Sequence, residues 1–221
     1  MGNVAAGESI VIPVTAGQIE ADLRVPDGAT GLVIFAHGSG SSRFSSRNRS
    51  VAEALEGHGF GTLLLDLLTR EEESVDVRTQ EYRFDIGLLG RRVIRATDWT
   101  QDRPGLLHLP IGYFGASTGA AATLIGAAAR PQVVRAVVSR GGRPDLADEA
   151  LPQIKAPTLL IVGGDDEPVI GMNRDAMSQM RTVVELEIVS GATHLFEETG
   201  ALEQVIDLTS GWFRRHLISS A

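Results

Sequence analysis

Gly115-Ala116-Ser117-Thr118-Gly119 sets a serine between two glycines, with an apolar run before it and an alanine-rich run after it. Residues 109–129 read as a strand, a tight turn and a helix. Such a turn forces its central residue into a strained backbone conformation and holds that side chain out at the edge of a sheet. The flanking positions call for glycine because a Cβ there would collide with the neighbouring strand or helix. A hydroxyl at the start of a helix meets free N–H groups and the positive dipole end, which favour a developing negative charge. That is a setting for a nucleophile in acyl transfer. The plain alternative is a small-residue turn before a buried helix, and a base, an acid and oxyanion donors in the right order would decide against it.

Three further loops supply those types. Residues 183–189 read as a strand that ends in Ser190-Gly191-Ala192-Thr193-His194, which puts His194 just past a strand end. Residues 157–162 read as another, followed by Gly163-Gly164-Asp165-Asp166-Glu167-Pro168-Val169. A carboxylate there, Asp165 or Asp166, points at the same sheet edge as Ser117. Residues 32–36 run into His37-Gly38-Ser39-Gly40, a glycine-rich turn suited to oxyanion donors. The N–H groups of Ser39 and Thr118 are the two candidates. His37 reads as a structural histidine bonded to its loop, since His194 is better placed as base. Arg140 follows the strand at 133–139 on the same edge and is a candidate to bind a substrate carboxylate; a buried structural pairing is the alternative. In this set His194 would take the proton of the weakly nucleophilic Ser117, and the aspartate would fix the histidine tautomer.

The elements that must hold these residues follow from periodicity. Residues 9–14 and 18–25 read as an antiparallel hairpin with Ala16-Gly17 between its strands. Continuous apolar runs at 32–36 and 60–65 suit strands buried on both faces. A helix over 47–58 is expected, capped by Ser45 or Ser46. Arg43, Arg47 and Arg49 read as salt-bridging and capping residues, with contact to an acidic substrate as the alternative. Residues 67–80 read as a loop with a solvated glutamate run, able to wall the active-site cleft. A long amphipathic helix is expected over 81–100, with Phe84, Leu88, Val93 and Trp99 on its apolar side. Further helices are expected over 170–180 and 200–217. The segment between the strands at 133–139 and 157–162 is too short for a helical lid, so the cleft should be open.

The composition narrows the classes. The 221 residues, 43% hydrophobic, suit one α/β domain over 1–221. A net charge of −8 argues against nucleic acid or anionic membrane as partners. With no cysteine there is no disulfide, thiolate nucleophile or cysteine-bound metal. No metal-ligand spacing occurs. The N-terminus has no basic start or apolar run, and no segment approaches a membrane span, so a soluble cytoplasmic protein is expected.

The series HGSG, GASTG, GGDDEPV and GATHLF, in the order Ser…Asp…His, resembles the α/β-hydrolase superfamily over nearly the whole length, and within it the dienelactone hydrolase-related group. The resemblance implies a mostly parallel sheet with helices on both faces and an N-terminal antiparallel hairpin. It also implies a serine-type carboxylic ester hydrolase without a cofactor; the missing lid and modest size point to small, soluble acyl esters. It departs from dienelactone hydrolases in having Ser117 where those have a cysteine. The family pattern G-x-x-D-x-x-V fits Gly163, Asp166 and Val169 and selects Asp166 as the acid. A lactonase or thioester hydrolase on the same triad, or a non-catalytic binding module, are the alternatives. The oligomeric state is not legible.

Overall fold

Five segments are apolar without alternation and therefore need cover on both faces. In the computed structural model, which describes residues 7–15 and 17–218, each forms a strand buried along its length, save for exposed Arg135 in β6: β3 (Leu32–Ala36), β4 (Gly61–Leu65), β5 (Ile111–Ala116), β6 (Val134–Arg140) and β7 (Thr158–Gly163). The hairpin strands β1 (Glu8–Val14) and β2 (Gly17–Arg24) pair antiparallel. Ala16 of the expected turn, and residues 1–6 of the N-terminus, lie outside the described residues. Strand β8 (Val184–Val189) alternates Glu185 and Glu187 with apolar residues and forms an edge. The sheet order is β1-β2-β4-β3-β5-β6-β7-β8. Strands β3 to β8 run parallel, so their C-terminal ends share one edge.

Helices α1 (Ser46–Gly57) and α6 (Ala201–His216) cover one face through Val51, Leu55, Val205, Trp212 and Phe213. The other face is covered by α3 (Ile86–Gln101) and α4 (Thr118–Ala129), through Leu89, Val93, Ala122 and Leu124. A 3-10 segment, Pro144–Gln153, and helix α5 (Glu167–Gln179) complete that layer through Leu151 and Ala176. No helix among the described residues is long and apolar enough to cross a membrane.

Two expectations need correction. Residues 67–80 are not a loop: helix α2 spans Arg70–Thr79. Thr69 accepts from Glu72 N–H while the Glu72 carboxylate accepts from Thr69 N–H, a reciprocal cap that starts the helix. Glu71, Glu72 and Glu73 then sit in its first turn, where the helix dipole favours them. This helix does not wall the cavity that holds Ser117; it lines a separate hollow of about 620 Å³ with Glu20, Arg43 and Asp66. The helix expected over 81–100 begins five residues later, at Ile86, because Asp85 caps Leu88 N–H. Phe84 is left out of it and stands 56% exposed.

Candidate active site

The turn between β5 and α4 holds Ser117 at φ 51° and ψ −121°, a conformation that an L residue adopts only under constraint. The constraint is visible on both sides. Ser117 N–H donates to the Arg140 carbonyl at the end of β6, and the Ser117 carbonyl accepts from Arg143 N–H. The first turn of α4 presses against the end of β3: a Cβ on Gly119 would lie 2.3 Å from the His37 carbonyl oxygen. Any side chain at 119 would therefore push the Ser117 turn off the glycine-rich loop. That loop lies alongside, with the Gly38 backbone packed on the Ser117 side chain. Among the described residues, neither Ser39 N–H nor Thr118 N–H has a backbone acceptor.

His37 braces this loop. Leu67 N–H can only donate, so His37 Nε2 accepts from it at 3.2 Å, and Nδ1 therefore carries the proton that bonds the Gly38 carbonyl at 2.8 Å. Burial pulls its pKa below the ordinary value and keeps the ring neutral. Its bonds are those of a structural histidine joining the loops after β3 and β4.

His194 and Asp166 meet across two neighbouring loops. His194 Nδ1 lies 2.7 Å from Asp166 Oδ2, with the carboxylate the less exposed of the two. Asp165, by contrast, faces solvent. The loops approach so closely because residue 163 has no side chain: a Cβ there would lie 2.4 Å from the Ala192 carbonyl oxygen and 2.6 Å from that of Thr193. Gly164 N–H donates to Val189 and Asp165 N–H to Ala192, stitching the two loops together. No hydrogen bond joins Ser117 Oγ to His194 among the described residues. Such links are often open before substrate binds.

Ser117 and His194 line one cavity of about 370 Å³, shared with Ser39, Arg47, Asn48, Arg140 and Leu195. Arg140 is 7% exposed, and its Nε and Nη1 have no hydrogen-bond partner. No ion pair forms to it among the described residues, so the buried structural pairing considered as its alternative is absent. Burial, with the nearby charge of Arg47 adding to it, pulls its pKa down to about 10. It remains a cation at neutral pH. The Phe196 ring lies 5.8 Å from its guanidinium carbon. The arginines of residues 43–49 divide. Arg43 pairs with Asp66, Glu20 and Asp22, and Arg49 with Asp22, as a structural network. Arg47 pairs with exposed Glu197 at 3.0 Å but also faces the cavity, the placement weighed above as its alternative. The cue was topological: the first turn of α1 follows the loop after β3, so it opens onto the same sheet edge. No group of three or more His, Asp or Glu side chains forms a metal cluster among the described residues.

Comparison with known proteins agrees with this architecture. The model of the dienelactone hydrolase family matches residues 19–208. The crystal structure of a dienelactone hydrolase from Anabaena variabilis ATCC 29413 is 57% identical and superposes with a TM-score of 0.94, over 96% of this chain and 98% of that one. A structure described as an α/β serine hydrolase homologue, from Coxiella burnetii, shares the fold at 21% identity and a TM-score of 0.75, over 95% of this chain and 98% of that one. The fold is thus that of the α/β-hydrolases. A Mycobacterium tuberculosis protein, found in strains CDC 1551 and H37Rv and named provisionally as a phosphoribosyl transferase, is 57% identical over 196 residues. That match covers 88% of this chain but 43% of the relative, so the chain spans less than half the length of these curated relatives.

Proposed function

The chain belongs to the dienelactone hydrolase family, and on that premise we propose that it is a serine-type carboxylic ester hydrolase acting on small esters through Ser117, His194 and Asp166. The observation that carries this reading is the 2.7 Å contact of His194 Nδ1 with Asp166 Oδ2, at a cavity that also holds the strained Ser117.

That contact leaves Nε2 as the proton acceptor and holds the ring in the required tautomer. Ser117 Oγ attacks the ester carbonyl as His194 Nε2 takes its proton. The N–H groups of Ser39 and Thr118 receive the oxyanion, each donor contributing roughly 3 kcal/mol to the transition state. His194 then protonates the leaving alcohol, and a water that it activates releases the acid from the acyl-enzyme. The cavity is modest and its lining largely polar, which supports short acyl groups over long apolar ones. Lactones and thioesters react by the same steps and belong to the same proposal. A phosphoribosyl transfer, as the name of the longer relative describes, finds less support in a Ser–His–Asp arrangement than acyl transfer does.

A fluorophosphonate tests the proposal. It should label a single peptide, that containing Ser117, and Ser117→Ala should lose label and ester turnover together. Turnover of p-nitrophenyl acetate retained by Ser117→Ala would overturn it.

A further inference from the structure

The loop after β6, Gly141-Gly142-Arg143, touches both Ser117 and His194. Arg143 N–H donates to the Ser117 carbonyl at 3.1 Å, and Arg140, just before the loop, accepts from Ser117 N–H. Gly141 lies against His194: a Cβ there would stand 3.1 Å from the His194 carbonyl oxygen and 3.5 Å from its ring Cε1. A Cβ on Gly142 would collide with Ser139 and Ala120. The Gly142 carbonyl has one partner among the described residues, Nδ2 of Asn173 at 3.0 Å. No other side chain bonds the backbone of residues 141–143 among the described residues.

Asn173 stands on α5, about two turns past Asp166, which is the N-cap of that helix. It is fully buried, and its Nδ2 also donates to the Val169 carbonyl at 2.8 Å. Both atoms that face this nitrogen are acceptors, so the orientation of the amide is fixed. Its Oδ1 is buried without a partner. Asparagine is a poor helix former, and a buried polar oxygen left unpaired is costly. An apolar side chain would fill the same place without that cost, so packing alone does not account for the residue.

We infer that Asn173 is a positioning residue for the reaction: by holding the Gly142 carbonyl it ties α5, which Asp166 begins, to the loop that grips the Ser117 backbone and packs on His194. The inference rests on the ester-hydrolase reading above and adds to it a residue that touches neither substrate nor reacting atoms. The Ser117 turn is strained and sends both its N–H and its carbonyl to residues 140–143, so movement of the loop passes to Ser117 Oγ. A displacement of about 1 Å there costs on the order of 10² in rate. Asn173 lies outside the lining of the Ser117 cavity, so the loss should fall on kcat rather than on KM.

Asn173→Leu keeps a side chain of similar size and removes the donor. With p-nitrophenyl acetate its kcat should fall on the order of 10²-fold with KM within about threefold of wild type, and fluorophosphonate labelling of Ser117 should slow in proportion. Asn173→Asp returns a donor only when its carboxyl is protonated, and burial raises the pKa of such a group. The ratio of its kcat/KM to that of wild type should therefore rise about fivefold or more from pH 8.5 to pH 6.5. Ala176→Gly, also buried and further along α5, shows what loss of stability does by itself, and it should keep the wild-type kcat and labelling rate. Circular dichroism at the assay temperature establishes folding; should Asn173→Leu not fold, the pH response of Asn173→Asp decides. A folded Asn173→Leu with kcat and labelling within about threefold of wild type, or a flat ratio for Asn173→Asp, would overturn the inference and leave the hydrolase reading in place. Wild-type protein with neither turnover nor labelling would instead overturn the hydrolase reading beneath it.

Discussion

Gly163→Ala tests whether the junction of the Asp166 and His194 loops is as tight as the geometry demands. The added Cβ would meet Ala192 O at 2.4 Å, Thr193 O at 2.6 Å and the Ala192 carbonyl carbon at 2.9 Å. All three atoms are backbone, so no side-chain rotation relieves the contact. Reaching an ordinary separation of ~3.5 Å requires the His194 loop to retreat by about 1 Å. Asp166 is three residues from the substitution and His194 directly follows Thr193, so the retreat falls on their 2.7 Å contact. A displacement of about 1 Å in a catalytic constellation costs on the order of 10² in rate. The overpacking itself should cost roughly 1–3 kcal/mol and lower the melting temperature by about 5 °C. The assay is kcat/KM for p-nitrophenyl acetate at 20 °C, with circular dichroism establishing that the variant is folded, and the rate of fluorophosphonate labelling as a second measure. Gly171→Ala is the control: it lies in α5, and nothing stands within 4 Å of its added Cβ. That variant should keep the wild-type rate and gain ~0.5–1 kcal/mol from the better helix former. A folded Gly163→Ala with kcat/KM within twofold of wild type would refute the argument.

Three other outcomes follow from the same geometry. Asp166→Asn should leave the fold intact and lower kcat by on the order of 10⁴, since His194 would lose its tautomer-fixing partner, whereas exposed Asp165→Asn should remain within about tenfold of wild type; the reverse ranking in steady-state kinetics would show the wrong aspartate assigned. Stability should fall on acidification below pH ~6.5, because burial holds His37 and His216 below their ordinary pKa and the unfolded chain therefore takes up protons first. Each histidine contributes at most ~1.4 kcal/mol per pH unit, lost as pH falls and retained above that value; urea midpoints at pH 7.5 and 5.0 should diverge less in His37→Gln, and an unchanged divergence would count against its buried neutral state. Across acetyl, butyryl and dodecanoyl p-nitrophenyl esters, kcat/KM should favour the short acyl groups, and a strong preference for dodecanoyl would contradict the polar 370 Å³ cavity.

Much of the site was legible because of one property of parallel sheets. Every strand in such a sheet delivers the residue that follows it to the same edge. An apolar run ending in a glycine-rich or acidic loop therefore locates a site residue without knowledge of strand order. Ser117, the Asp165–Asp166 pair and His194 are candidates on this ground, and the loop carrying Ser39 likewise. Lateral position is a different matter. Whether Arg140 meets a carboxylate depends on the order β3-β5-β6-β7 and on what the neighbouring loops bring, and periodicity carries no information on that order. Arg47 makes the point more sharply. Its ionic partner, Glu197, is 150 positions away, and its neighbour across the cavity is 93 positions away. Nothing near residue 47 distinguishes a surface ion pair from a cavity wall.

Helix α2 was missed for the opposite reason, since its signal is local and present. Thr69-Arg70-Glu71-Glu72 has the spacing of a reciprocal cap, and three successive glutamates suit a first helical turn better than a solvated loop. A solvated glutamate run is equally compatible with the exposed first turn of a helix, where the dipole favours it. The consequence for function is concrete. With α2 folded against Arg92 through Glu72, and Asp76 fastening Arg83, residues 70–77 line the hollow beside Arg43 rather than the cavity of Ser117. The cavity of Ser117 is instead lined by the loops after β3 and β8, by the ends of β5 and β6, where Arg140 stands, and by the first turn of α1, which carries Arg47.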